Sequence, residues 1–207
     1  MTIERFNDTS LTCPFGHLVL SLSVGLATPV VDLSATPATI STCFAPENDC
    51  AAFAVRAIDR AQRQILVGAY NLTTGSGIVE ALLDAKQRGV DIRLVADRTT
   101  PCQRNSGIDP LARAGVPIWI DRSARIAHLK TMVIDNAVTL MGSYNWTAGA
   151  ARNSENLNLV ASPVVGAAYA AHWRERLAVS SPFNRREDWC RIASRAAEQS
   201  GTEEIRP

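Results

Sequence analysis

From residue 39 onward, short apolar runs alternate with amphipathic stretches, a pattern of strand followed by helix. Thr39–Phe44 reads as a strand. Pro46 and Glu47 then open a helix through about Gln62, with Phe53, Val55 and Ile58 in its apolar content. Gln64–Tyr70 is a short apolar run, the mark of a buried strand. Gly77–Arg88 carries Ile78, Val79, Leu82 and Leu83 at helical spacing, and Gly89 stops it as a C-cap. Val90–Ala96 predicts another buried strand, Asp97–Gly107 a polar loop, Asp109–Ala114 a short helix ended by Gly115, and Val116–Ile120 a further strand.

The second half changes character. Ile126–Ile134 and Ala137–Ser143 read as two strands joined by a tight turn at Asp135-Asn136. Asn156–Ala161 is one more strand. Ser162-Pro163 supplies an N-cap with proline at the first helical position, and the helix runs to about Val179. Ser180-Ser181-Pro182 breaks it, leaving residues 180–207 as a polar, partly helical appendage. This order predicts an α/β fold, an α/β/α sandwich around a mixed central sheet, with its body at residues 39–179. No internal repeat is visible.

Composition narrows the class. At 46% hydrophobic and 20% charged residues, the chain is neither collagen-like nor disordered. Its 207 residues can bury a core without staples. Lys+Arg number 21 and Asp+Glu 20, a net charge of +1, so a polyanion-binding surface would have to come from local clustering.

Leu18–Ala27 is apolar but far short of the ~20 residues that span a bilayer. It fits the apolar region of a secretory signal, with Gly25 and Ala27 as the small residues before a cut. Arg5 is offset by Glu4 and Asp8, so the leading segment is not clearly basic; the other reading is an N-terminal arm. The sequence thus predicts a signal at 1–27, a linker at 28–38, and a periplasmic or secreted protein, cytoplasmic if the signal is not one. Cleavage would remove Cys13 and leave Cys43, Cys50, Cys102 and Cys190, an even set with three pairings. Cys43 ends a strand and Cys50 lies in the first turns of the next helix, so the bend between them favours that pair; Cys102–Cys190 follows by elimination. The alternative is reduced, buried thiols. No CxxC or paired Cys/His spacing suggests zinc.

The candidate chemistry centres on His128. Lys130 follows two residues later, so on a strand both project from one face, while Leu129 and Val133 point the other way into the core. A solvated strand face would explain the pair alone. The next strand, however, ends Gly142-Ser143-Tyr144-Asn145-Trp146, and Asn153-Ser154-Glu155-Asn156 enters the last one. Adjacent strands would bring an imidazole, an ammonium, an amide, a hydroxyl and a carboxylate to one edge. The set lacks the clustered carboxylates or histidines of a divalent-metal site, so no cofactor or metal is implied. It suits a phosphodiester. Lys130, Asn145 and Ser143 would hold the phosphoryl oxygens. His128 would attack phosphorus or protonate a leaving oxygen. Glu155 would accept from the other imidazole nitrogen.

His128-Leu129-Lys130 with Asp135 is H-x-K-x4-D, and Gly142-Ser143-Tyr144-Asn145 extends it as G-S-x-N. This resembles the phospholipase D superfamily, and with one motif copy in a short chain it is most similar to the small bacterial endonucleases of that group. The resemblance covers roughly residues 39–179. It implies a covalent phosphohistidine intermediate without a metal, with His128 as nucleophile or acid, Lys130 and Asn145 as phosphate clamp, and Asp135 as a structural residue. It also implies a homodimer with a shared site, which agrees with the single motif histidine: in-line displacement needs one group to attack and another to protonate the leaving oxygen. A monomer using His172 or Glu155 as the acid is the competing account. Arg122, Arg125 and Arg152 flank the motif, with Arg98 and Arg104 in an earlier loop, and could form a rim for a nucleic-acid backbone. Such a rim favours nucleic acid; an apolar collar beside the site would favour a lipid phosphodiester. A binding module without turnover would not need the nucleophile. Tyr144 and Trp146 could stack on bases, although at least one is expected in the core.

Overall fold

The computed structural model describes residues 37–199. The predicted signal, Cys13, His17 and all but the end of the predicted linker lie outside the described residues. Eight strands form one mixed sheet in the order β1-β7-β6-β5-β2-β3-β4-β8. They are β1 (Thr39–Ala45), β2 (Gln64–Ala69), β3 (Asp91–Asp97), β4 (Ile118–Asp121), β5 (Lys130–Ile134), β6 (Val138–Gly142), β7 (Glu155–Ala161) and β8 (Ser181–Pro182). β2, β3 and β4 run parallel, and every other pairing is antiparallel. Helices α1 (Cys50–Asp59), α2 (Ile78–Gln87) and α3 (Ile108–Arg113) share one apolar layer with the sheet, and α4 (Pro163–Ala178) packs Ala170 and Trp173 on Leu66, Val95 and Val133 of the other face. This is the predicted α/β/α sandwich.

The local differences have identifiable causes. The first helix starts at Cys50, later than Pro46-Glu47 suggested, because the Asp49 carboxylate caps it by accepting the Ala52 N–H at 2.9 Å. β5 starts at Lys130 instead of Ile126. In the lead-in, the Ala127 N–H donates 2.7 Å to the Asp97 carboxylate and so leaves the strand ladder. The segment after 179 does more than trail as an appendage. β8 pairs with β4, and Phe183 and Trp189 join the main core as the chain enters α5 (Trp189–Gln199).

Two disulfides have the predicted pairing. Cys43–Cys50 closes the bend between β1 and α1 and is buried. Cys102–Cys190 joins the loop after β3 to α5, and both its residues are exposed. At the β5–β6 turn, Asp135 (φ 54°) and Asn136 (φ 57°) take the left-handed region that Asn and Asp tolerate. The Asp135 carboxylate accepts three backbone N–H groups, from Gln62 (3.0 Å), Arg63 (2.8 Å) and Gln64 (2.9 Å). It thereby ties the turn to the entry of β2.

Candidate active site

β5 lies between β2 and β6, so the start of β5 meets the carboxyl end of β2. Loops following the carboxyl ends of parallel strands are where open α/β sheets place ligands. His128 stands here, exposed, two residues before the Lys130 that pairs with Ala69. Within β5 the predicted alternation holds: Lys130 and Met132 are buried, Met132 in the layer shared with α1, while Val133 packs under α4.

Lys130 is 6% exposed, and its ammonium donates to the His128 carbonyl at 3.2 Å. It also sits 4.8 Å from the centroid of the Tyr70 ring. Burial pulls the Lys130 pKa down to about 8, against the opposing charges of Glu155 and Asp97. The His128 imidazole is likewise held below its ordinary value, first by burial and then by the Lys130 charge, with Asp97 acting the other way. A neutral imidazole is thus available as a nucleophile beside a lysine that remains cationic near neutrality.

Asn145 follows the end of β6, half-buried, with its Oδ1 unpartnered among the described residues. Ser143 is exposed, and its hydroxyl accepts the Asn156 N–H at 3.0 Å, with no acceptor for its own proton among the described residues. Gly142 is required by close approach: a Cβ there would lie 2.2 Å from the Asn156 carbonyl oxygen. Tyr144 and Trp146 are both fully buried, and the Trp146 indole donates to the Gly68 carbonyl at 3.2 Å. Neither presents a stacking face.

Glu155 is half-buried at the start of β7 and accepts from Asn153 Nδ2 at 3.2 Å, with no hydrogen bond to His128. Its charge acts on Lys130, and the carboxylate whose charge reaches the imidazole is Asp97. Arg122, Arg125 and Arg152 are exposed. Arg98 is fixed by donating to the Arg125 carbonyl at 2.8 Å.

Sequence reasoning missed Tyr70 and Asp97. Tyr70 directly follows β2, and its ring lies 4.5 Å from that of His128. Asp97 ends β3, is 1% exposed, and accepts from Ala127, Thr99 N and Thr99 Oγ1. Their only sequence signal is position, at the carboxyl ends of neighbouring parallel strands.

A cavity of about 630 Å³ opens between the sheet and α4 beside this cluster. His128, Lys130 and Thr131 form part of its wall, and Leu129, Met141, Ala168 and Ala171 make much of the rest apolar. His172 of α4 reaches the same cavity and lies 3.5 Å from Glu175. Among the described residues, no three His, Cys, Asp or Glu side chains converge to hold a metal ion.

Comparison with known proteins gives a consistent picture. The family model described as "Cardiolipin synthase, PLD-like domain" matches residues 54–177. A phospholipase D of Rickettsia felis is 36% identical over 140 residues, 67% of this chain and 70% of that protein. The mitochondrial cardiolipin hydrolase of Xenopus tropicalis is 35% identical over 119 residues, 57% of this chain and 56% of that one. Nuc, a phospholipase D family member from Salmonella typhimurium of known crystal structure, superposes with a TM-score of 0.66 at 29% identity, covering 72% of this chain and 99% of that chain.

Proposed function

This chain belongs to the phospholipase D superfamily and is a phosphodiester-hydrolysing enzyme, and on that premise we propose that it cleaves a nucleic-acid backbone without a metal ion, at a site shared by two copies. The observation that carries the reading is the exposed His128 imidazole 4.5 Å from the Tyr70 ring, beside a buried Lys130 ammonium that is free of any salt bridge among the described residues.

An imidazole nitrogen of His128 attacks phosphorus in line, and the bond to the leaving oxygen breaks as that oxygen takes a proton from a second group. Lys130 and the Asn145 amide hold the nonbridging oxygens as charge builds on them. Water then attacks the phosphohistidine, breaks the P–N bond, gives up its proton to the same second group and frees His128. The His128 of a second copy, across a twofold axis, is that acid and base. Glu155 supports the cationic Lys130, and the exposed Arg122, Arg125 and Arg152 form the rim for a polyanion.

A lipid phosphodiester is the second reading, and the apolar walls of the cavity beside His128 favour it. The two are separated by nicking of supercoiled plasmid in EDTA, run beside phosphatidylcholine hydrolysis on the same preparation. Nicking that persists in EDTA, and that His128→Ala abolishes, supports the proposal. Collapse in EDTA with recovery in magnesium overturns the metal-free chemistry, and turnover of lipid alone overturns the substrate. Mixing His128→Ala with wild-type chains tests the shared site. Heterodimers that keep half of wild-type activity would show independent sites.

A further inference from the structure

Tyr70 is not part of the motif, yet its ring lies against both His128 and Lys130. Its ring centroid is 4.5 Å from the His128 ring, at 55° between planes, and the Lys130 ammonium sits 4.8 Å from the same centroid. We propose that Tyr70 is a positioning residue of the reaction, a fixed aromatic wedge that sets the imidazole and the ammonium at one spacing and one orientation relative to the phosphorus. The inference rests on the phosphodiesterase reading for its kinetic consequences, but the contact itself does not.

The backbone explains why this ring is a reliable reference. The Tyr70 N–H donates to the Leu129 carbonyl at 2.7 Å, which ties it to the residue between His128 and Lys130. The Tyr70 carbonyl accepts from Thr100 Oγ1 at 2.8 Å and from Gln103 Nε2 at 3.2 Å. Gln103 also bonds Asn71, the next residue. The main chain is therefore clamped from two sides, and the side chain has only two torsions to settle. By contrast His128 precedes the strand ladder and is exposed. Its imidazole makes no hydrogen bond among the described residues, so the Tyr70 ring is the neighbour that packs against it. For Lys130 the ring is a surface that accepts a cation while keeping water away.

The charged groups around the pair are Lys130 itself, Asp97 on β3 and Glu155 on β7, and the His172 side chain on α4 shares the cavity. Replacing the ring by a smaller side chain admits water to both groups and leaves those charges in place. The imidazole then titrates closer to its ordinary value, that is, higher, while for the ammonium the gain in water opposes the loss of the ring's cation-accepting face. A purely structural role for Tyr70 would not move the imidazole.

The test compares Tyr70→Phe, which keeps the ring, with Tyr70→Leu, which removes it while filling part of its volume. Bis(p-nitrophenyl) phosphate serves as the activated diester, and full kcat and KM profiles are taken against pH. In parallel, NMR follows the imidazole of His128 in histidine-labelled protein, assigned by His128→Ala. Phe is expected to stay within about twofold of wild type. Leu is expected to lose on the order of 10- to 100-fold in kcat with KM little changed, the scale of a reacting group misplaced by about an ångström. The His128 signals should lose their ring-current shift and titrate higher in Leu but not in Phe. Wild-type kcat and an unmoved His128 titration in Tyr70→Leu would overturn the proposal, as would equal losses in Phe and Leu, which would place the effect on the hydroxyl. If Leu does not fold, Tyr70→Met takes its place under the same criteria. A wild type inactive on every diester would sink the functional reading while the NMR comparison still decided whether the ring positions His128.

Discussion

Asp135 lies at the far end of β5 from Lys130, so its role can be separated from turnover. Asp135→Asn keeps the side-chain shape and the tolerance for a left-handed backbone, but removes the charge and one acceptor oxygen. Of the three N–H groups that the carboxylate accepts, the Arg63 and Gln64 bonds share Oδ1 and the Gln62 bond uses Oδ2. In the asparagine variant, the first two persist onto a neutral oxygen at about half their strength, while an amide NH₂ faces the Gln62 N–H. A hydrogen bond to a charged group contributes about 1.5–3 kcal/mol net, and the exposure of Gln62 and Arg63 argues for the lower figure or less. The expected loss is therefore about 2 kcal/mol. Burial alone would raise the Asp135 pKa, but the three backbone donors and the Arg63 charge outweigh it, so the folded carboxyl titrates below its ordinary value. A depressed folded pKa gives stability that is complete above the unfolded value of about 4 and disappears as pH falls through the folded one. Urea unfolding followed by tryptophan fluorescence should thus show the full gap between wild type and Asp135→Asn at pH 7 and a much smaller gap near pH 3. Activity per folded molecule should not change. A variant within about 0.5 kcal/mol of wild type at pH 7, the scale of an ordinary surface substitution, would refute the reasoning. So would a gap that is the same at both pH values.

The pH–rate profile is expected to be bell-shaped, because one His128 must be neutral to attack while its counterpart must carry the proton for the leaving oxygen and the Lys130 clamp must be cationic. Its rising limb should lie below the usual imidazole value and its falling limb, set by loss of the acid imidazole's proton, no higher than the lysine's value of about 8, and a rate still climbing well above that would contradict both the imidazole acid and the depressed Lys130. Gly142→Ala should cost at least about 2 kcal/mol, the upper range for overpacking, because the new Cβ would meet backbone 2.2 Å away; an unchanged thermal midpoint would show that β7 yields freely. Graded reduction with alkylation and mass spectrometry should open the exposed Cys102–Cys190 before the buried Cys43–Cys50, and the reverse order would be inconsistent with their burial. By chain entropy, the 88-residue separation of the first makes its loss worth ~4–5 kcal/mol, against ~2 for the 7-residue separation of the second.

The motif half of the site was legible because its geometry is local. His128 and Lys130 share a face by a spacing of two, and Asp135-Asn136 announces its turn by residue type. The alternating burial from Ser143 to Trp146 also follows from sequence, even though the ladder stops at Gly142. Tyr70 and Asp97 were not legible, because their relevance depends on β5 lying beside β2 and β3 lying on the other side of β2. Nothing in the run Gln64–Tyr70 says which later strand will pair with it. Glu155 acts by its charge on Lys130 rather than by accepting from the imidazole, because the choice between the two partners depends on side-chain placement across three strands. β8 escaped notice because two residues carry no periodicity, and only its pairing with Trp119 and Ile120 makes it a strand.

The sheet order also sets when the enzyme comes into being. β1 is the first described strand to leave the ribosome, yet its one neighbour is β7, and Thr42 meets Asn158 across 116 positions of chain. Until the last of those residues has been synthesised, β1 has no place in the sheet. β2 and β3 can pair early, but the edge of β2 that will receive β5 must stay open meanwhile. Such distant pairings fold slowly and leave unpaired strand edges exposed during the wait, a period in which a nascent chain is prone to self-association or needs a chaperone. Activity therefore arrives late and all at once, when β5, β6 and β7 close between the two early pieces.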